Sequence, residues 1–419
     1  MKTYVFICRR ICEIGGAEQY LYNKSRYLES QGWRVFIFSG REGRILINGF
    51  KQYAKDIHPA LRYAPECYSK WEVRRTINNI VGRIGDCGGD QCIVESDAVN
   101  RSIWAEIIAK RLGARHLAFI LQENHGYDEE IRKFLRFKYD RHELAGITMP
   151  SINQMLDDEK LERRTDTKIS AACNNVVDVC EDNITPLLNP TADYTFGSIG
   201  RLEKPCVPAI LKGFKNFIAL HPNKSFNLVL IGGTALTNRI ERIRAEFSSF
   251  RNVNLITTGN IYPIPKSLLD HINVFVSTAG SASATYKARR PTLLVHPVTG
   301  EPVGIYGFDF ALSEKNMYDV TPGMTIEGSI ERALSNADAI DYPNGGDEQY
   351  YAKMCGEFER QLSFVNTVTS KEYYDEKLLM GIKTTHISNH FLHWLIGHLF
   401  GAKGMNRLED LKRGYRGNE

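Results

Sequence analysis

The sequence predicts an α/β protein built from two doubly wound domains that face a central cleft. Three observations carry that expectation. Short apolar runs such as Tyr4-Val5-Phe6-Ile7-Cys8 and Leu228-Val229-Leu230-Ile231 have strand length and no polar alternation, the pattern of strands buried on both faces of a parallel sheet. Helical patterns lie between such runs, so strand–helix–strand units recur along the chain. The stretch EDNITPLLNPTADY, with two prolines among turn formers, then divides the series. At 419 residues the chain is too long for one ordinary core, which fits that division.

A hydrophobic content of 43% and a charged content of 24% are those of a folded globular protein, and a net charge of +4 gives no reason to expect nucleic acid as a partner. The apolar run after Lys2 ends at Cys8, too short for the core of a secretory signal, so it reads as a first strand. No apolar run approaches the roughly 18 to 20 residues that span a bilayer, so any membrane contact is expected to be peripheral. Nine cysteines, an odd number set in apolar contexts, read as reduced thiols of a cytoplasmic protein. No cysteine pair is matched by a second Cys or His pair at zinc spacing, and no metal is expected.

The first domain is expected over residues 1–183. Its opening strand leads into Gly15-Gly16-Ala17-Glu18 and a helix through Tyr20, Leu21, Tyr27 and Leu28, then a strand at Val35-Phe36-Ile37-Phe38. Gly15 and Gly16 fall at a helix start, where backbone can approach a ligand; a plain glycine turn is the other reading. YSKWEVRRTINNIVGRI forms a basic amphipathic helix, facing either solvent or an acidic lipid or acceptor surface. A strand ending at Leu121 runs into Gln122-Glu123-Asn124-His125-Gly126. His125 therefore sits just past a strand end, where parallel sheets place ligands and chemistry, or else serves as a hydrogen-bonded structural residue.

Residues 184–193 read as the linker and residues 194–375 as the second domain. Phe196-Gly197-Ser198-Ile199-Gly200-Arg201-Leu202 is a strand with a basic exit, and strands at Asn227–Ile231 and Val253–Thr258 end in glycine. VFVSTAGSASATYKARRPTLLV, from Val274 to Val295, reads as strand, small-residue loop, helix and strand. No side chain from Ser277 to Ser283 is larger than threonine, so backbone can close on a ligand while the helix N–H groups favour an anion such as phosphate. A tight turn with serine as N-cap is the alternative.

In this order the pieces resemble the GT-B glycosyltransferases, and within them the family-four type that uses nucleotide-sugar donors. The resemblance runs from Met1 to about Asp375 and rests on Gly15 to Glu18, on Asn174-Asn175-Val176-Val177-Asp178, on Gly200-Arg201-Leu202 and on the block from Ser277 to Pro291. It implies two Rossmann-like domains, the first on the acceptor side and the second binding the donor. It also implies a Gly16 N–H and the Arg201 fork on the donor diphosphate, His125 facing the acceptor, and Gly259-Asn260-Ile261 closing over the base. Chemistry supports the arginine independently, because breaking a sugar–phosphate bond builds negative charge that a fixed guanidinium can hold.

Two positions depart from the family. Its usual lysine is replaced by Cys206, leaving Lys204 to reach the same phosphates by another path. The family's Glu-x7-Glu pair is absent, and its second member falls at Ala284. The loop of Gly280, Ser281, Ala282 and Ser283 resembles the glycine-serine loops that cradle diphosphate with helix amides. Glu301 is the candidate for the missing carboxylate, an exposed turn glutamate being the other reading. No cofactor is implied beyond the nucleotide-sugar co-substrate, and the resemblance leans to retention of configuration.

The leading expectation is a cytoplasmic glycosyltransferase, free or at the inner face of the membrane. It would move sugar from a nucleotide-sugar, a UDP-sugar first, to a glycan or lipid-linked saccharide, as in cell-surface polysaccharide synthesis. The absent glutamates leave open a catalytically silent GT-B protein that binds nucleotide-sugar or a partner glycosyltransferase, and a nucleotide-sugar epimerase on the same fold is a further alternative. The tail, residues 376–419, is nearly apolar from Phe391 to Phe400 and then basic. It is expected either to pack on the N-terminal domain or to rest at a membrane surface.

Overall fold

The apolar runs of the first half form one parallel sheet in the computed structural model of the chain, which describes residues 2–41, 43–87, 91–120, 127–146, 149–157, 181–312, 314–315, 317–344, 347–367, 370–384 and 387–416. Its strands are β1 (Thr3–Cys8), β2 (Arg34–Ser39), β3 (Ala54–Ile57), β4 (Cys92–Ser96), β5 (Arg115–Ile120) and β6 (Leu144–Gly146), in the order β3-β2-β1-β4-β5-β6. The helices are α1 (Gly16–Ser30), α2 (Lys70–Ile84), α3 (Val99–Leu112), α4 (Glu129–Asp140) and α5 (Met149–Leu156). Every residue of β1 is buried, as its unbroken apolar sequence requires. In α2 the Ser69 hydroxyl accepts the Glu72 N–H at the N-cap, and Val73, Ile77, Ile80 and Ile84 recur at helical spacing to face the core.

A second unit repeats the plan. Its strands are β7 (Tyr194–Ile199), β8 (Phe226–Ile231), β9 (Val253–Gly259), β10 (Val274–Ser277), β11 (Thr292–Val295) and β12 (Pro302–Ile305), in the order β12-β11-β10-β7-β8-β9, with only β12 antiparallel to its neighbour. Its helices are α6 (Val207–Leu220), α7 (Arg239–Phe247), α8 (Lys266–Asp270), α9 (Ala279–Lys287) and α10 (Ile326–Ser335). Strand order reverses between β1 and β4 in one sheet and between β7 and β10 in the other, the switch points at which open α/β sheets leave room for ligands. The exits of β7 and β8 approach closely because Gly232 has φ +147; a β-carbon there would fall 2.1 Å from the Gly200 carbonyl oxygen.

The division of the chain differs from the sequence expectation in two places. The stretch expected as a linker is held on the second unit: Asn189 N–H donates to Asn227 Oδ1 at 2.8 Å, and Ile184 and Leu188 pack against the apolar cluster around Leu268. The second unit then ends near Asp347 rather than at residue 375, and the chain from Glu348 belongs to the first unit. That segment comprises α11 (Asp347–Asn366), α12 (Glu376–Leu379) and α13 (Ile387–Arg416), with a break in α13 at Gly401. α13 packs on the first unit so closely that a β-carbon on Gly397 would lie 2.0 Å from the Cys67 carbonyl oxygen, while Ala402 and Met405 are buried.

A buried polar network holds α11 in place. Lys24 of α1 is fully buried and bonds both Glu95 of β4 and Gln361 of α11. Tyr4 and Tyr20 donate to the same carboxylate at 2.5 and 2.9 Å, Gln361 Nε2 donates to Tyr20 Oη at 3.1 Å, and Phe358 lies against Tyr20 and Tyr27. Burial lowers the Lys24 pKa from 10.5 to about 8, opposed by Glu95.

Lys24→Ala strands the Glu95 charge and should lower stability by about 3–5 kcal/mol in urea denaturation, whereas Lys24→Met/Glu95→Gln should cost clearly less. Because the folded pKa of Lys24 is depressed, the unfolded chain binds more protons above pH 8. The wild type should therefore gain stability over that double variant as pH rises from about 8 towards 10.5.

Candidate functional site

Each sheet opens a pocket at its switch point, and the two differ in how their charges are matched. In the first unit the pocket lies between the exits of β1 and β4, beside Arg10, Tyr20 and Asp97. Gly15 is the N-cap of α1, as the glycine pair predicts. The buried Glu18 carboxylate folds back beside that helix start. A β-carbon on Gly15 would lie 2.7 Å from Glu18 Oε2. Arg10 Nε donates to Glu18 at 3.0 Å, and Arg10 and Arg41 each reach Glu13 at 2.7 Å. Asp97 accepts the Arg9 N–H at 3.0 Å and pairs with Arg101. The helix dipole and these cations thus serve internal carboxylates around Gly15 and Gly16.

In the second unit the pocket lies between the exits of β7 and β10. Gly200, Arg201, Lys204, Cys206 and Thr278 line it. The Ser277 hydroxyl accepts the Ile199 N–H at 3.1 Å and so ties the two exits together. Thr278 is the N-cap of α9, yet its side chain makes no cap bond; its Oγ1 is buried and has no hydrogen-bond partner among the described residues, and the residue is 3% exposed. An unmatched buried hydroxyl costs about 1–3 kcal/mol, which an acceptor entering the pocket would recover.

Lys204 is the second unmatched group. Its ammonium lies over the Gly200 backbone, where a β-carbon would sit 3.4 Å from Nζ, and among the described residues it has no ion-pair partner. Burial lowers its pKa, opposed by Cys206 and Glu203, and the Arg201 charge lowers it as well. The Arg201 side chain is 46% exposed, with Nη1 3.8 Å from Glu203 Oε1. Cys206, at the position where the resemblance expects a lysine, is buried in the pocket wall, and burial pushes its thiol pKa up, so it stays a neutral lining group. Two cations and an unsatisfied hydroxyl thus line one small space just before the start of α9, an arrangement suited to an anion.

Other predicted residues fall elsewhere. α9 begins at Ala279, so Gly280 and Ser281 lie in its first turn and Ser283 lies within the helix, where a loop was expected. Small residues there permit a helix directly off the strand, and Thr285 Oγ1 bonds back to Ser281 O at 3.2 Å. Ala284 is buried in the apolar cluster with Phe275 and Leu268, so the position expected to hold a carboxylate serves packing. Gly259, Asn260 and Ile261 lie at the exit of β9, beyond β8 from the pocket; Asn260 Oδ1 accepts the Gly233 N–H at 3.0 Å, and Ile261 packs on the cluster around Ile264. Glu301 is exposed and accepts the Thr299 hydroxyl at 2.7 Å, on a loop whose Gly300 abuts Cys206. His125 and Asn174 to Asp178 lie outside the described residues. Thr278 is the group that the sequence reading missed; a threonine directly before a helix is an N-cap type, and that was its only signal.

No protein-family profile matches the sequence, and no curated protein is similar to it in sequence. Solved structures do match along nearly the whole chain. A glycosyltransferase from Rickettsia africae ESF-5 is 10% identical, covers 94% of this chain and 98% of its own, and superposes with a TM-score of 0.54. A Staphylococcus aureus TarM mutant in complex with fondaparinux, α-GlcNAc-glycerol and UDP is 10% identical over 88% of this chain and 100% of its own, with a TM-score of 0.53. Anabaena HepE in complex with UDP and glucose is 10% identical over 91% and 98%, with a TM-score of 0.51. Together with the two sheet orders, this likeness shows the fold, which is GT-B.

Unmatched polar groups weaken the free protein. Lys204→Met should raise stability by about 1 kcal/mol, and Thr278→Val should leave it unchanged or slightly raised, in urea denaturation without ligand. A loss above about 1 kcal/mol in both variants would identify these side chains as fold contacts instead.

Proposed function

We propose that the protein is a glycosyltransferase that seats the diphosphate of a nucleotide-sugar, a UDP-sugar first, in the pocket between β7 and β10 and transfers the sugar to a glycan or lipid-linked saccharide. The observation that carries this reading is the pairing of Lys204, which has no ion-pair partner among the described residues, with an unsatisfied Thr278 hydroxyl at the switch point of a GT-B sheet. The UDP held by the HepE and TarM structures is the reason for naming uridine first.

In the reaction the bond from the anomeric carbon to the donor phosphate breaks, and a bond from that carbon to an acceptor oxygen forms. The departing electron pair and its negative charge go to the diphosphate. Arg201 and Lys204 stand where that charge grows, and the α9 N–H groups with the Thr278 hydroxyl add neutral donors. The reading assigns charge neutralisation to these groups rather than to a bound metal, so transfer is expected to survive a chelator. The proton leaving the acceptor goes to the departing phosphate if configuration is retained, the course the resemblance leans to. In an inverting reaction His125 is the candidate base.

UDP binding measured by calorimetry should weaken about tenfold or more in Arg201→Ala and in Lys204→Met, and less in Thr278→Val. An anion favours the charged form of Lys204, so wild-type affinity should be full below the pKa of free Lys204 and fall as pH rises through the higher pKa of the complex. Lys204→Met should flatten that alkaline limb. Turnover of UDP-sugars with and without acceptor then separates the readings. UDP binding without turnover of any donor leaves a silent binding protein, and conversion of donor with no acceptor present leaves an epimerase.

A further inference from the structure

We propose that the first unit docks onto acidic lipid through the outer face of α13 together with the start of α2. This stands independently of the sugar-transfer reading. Of the large apolar side chains on α13, Phe391, Leu399 and Phe400 are 68, 65 and 67% exposed, and Leu392 and Trp394 are 40% exposed. Side chains of this size on one helix form a patch that folded proteins rarely leave in water without a use. The opposite side of the helix is already committed, with Gly397 against Cys67 and His393 beside the Tyr63 ring at 5.1 Å. The exposed face is therefore held outward by packing beneath it.

The surroundings select the partner. At the break in α13, Gly401 lies against Glu72, where a β-carbon would sit 3.7 Å from the carboxyl carbon. This sets the start of α2 beside Phe400. There Trp71 is 67% exposed with the Arg75 guanidinium 5.2 Å from its ring centroid, and Lys70 and Arg74 are exposed as well. Lys403 and Arg407 are exposed on the far side of the break. From Ile387 to Leu408 the sequence holds no carboxylate, and Glu72 is the single one on α2.

Aromatic and leucine side chains flanked by lysine and arginine, with Glu72 the one carboxylate among residues 70–84 and 387–408, are the composition of a surface lying in the plane of an anionic membrane. No helix among the described residues is long and apolar enough to cross a bilayer, which leaves the surface as the place of contact. A second copy is the poorer occupant, since a two-fold contact would bring the same cations face to face.

The test is sedimentation of the full chain with vesicles of phosphatidylcholine, alone or mixed with phosphatidylglycerol. Binding to the acidic vesicles, weakened by salt, is expected. Phe391→Ser/Phe400→Ser should reduce partitioning about tenfold or more, and Arg74→Gln/Arg75→Gln should erase most of the preference for acidic lipid. Both variants alter exposed side chains, and thermal melts check that they fold. Quenching of wild-type tryptophan fluorescence by brominated lipid gives a measurement that needs no variant. Absence of binding and of quenching overturns the proposal, as does a dimer in sedimentation velocity that Phe391→Ser/Phe400→Ser dissolves, which would assign the face to a second copy.

Discussion

A parallel strand buried on both faces needs helices above and below it, and winding in both directions from a central pair leaves the crossover helices on opposite faces. At that pair no helix can cover the carboxyl ends of the strands. Both sheets of this chain meet that constraint at the same relative place, β1 beside β4 and β7 beside β10. The residues around each gap, more than the sheets themselves, decide what the unit can bind.

The two gaps show opposite solutions. Around α1 the chain brings Glu18 and Glu13 to face Arg10 and Arg41, so the cations there already have carboxylate partners. Around α9 the Arg201 guanidinium lies 3.8 Å from Glu203, Lys204 has no ion-pair partner among the described residues, and the threonine that should cap the helix leaves its hydroxyl unused. A folded chain tolerates an unmatched ammonium and hydroxyl in one small space only at some loss of stability. That loss is what an anion seated as proposed would recover on binding.

The strands were legible because runs as short as Tyr4 to Cys8 or Asn227 to Ile231, set between helical patterns and turn formers, suit a doubly covered sheet, and the helix of α2 was legible from the spacing of Val73, Ile77, Ile80 and Ile84. The charge pattern of the pockets was not. Gly15-Gly16-Ala17-Glu18 reads the same whether its carboxylate faces a ligand or folds back on Arg10, and the state of the Thr278 hydroxyl depends on what surrounds it in space. Ser283 shows a boundary error of the ordinary kind, since small polar residues suit a loop and a helix start equally well. The destination of α11 was hidden for another reason. The structure buries Phe358 and Gln361 together, whereas in the sequence a glutamine gives no sign of burial and nothing says which of two sheets covers the helix.

The placement of α11 to α13 has a consequence for the order of assembly. Because Gln361 completes the polar network around Lys24, and Met405 lies in the first core, the first unit is discontinuous along the chain, with the whole second unit inserted into it. During synthesis the second unit, encoded as one uninterrupted stretch, has all its parts as soon as it emerges, whereas the first must wait with Lys24 and Glu95 unsealed until the final helices appear. The domain that begins the chain is thus the last to be finished.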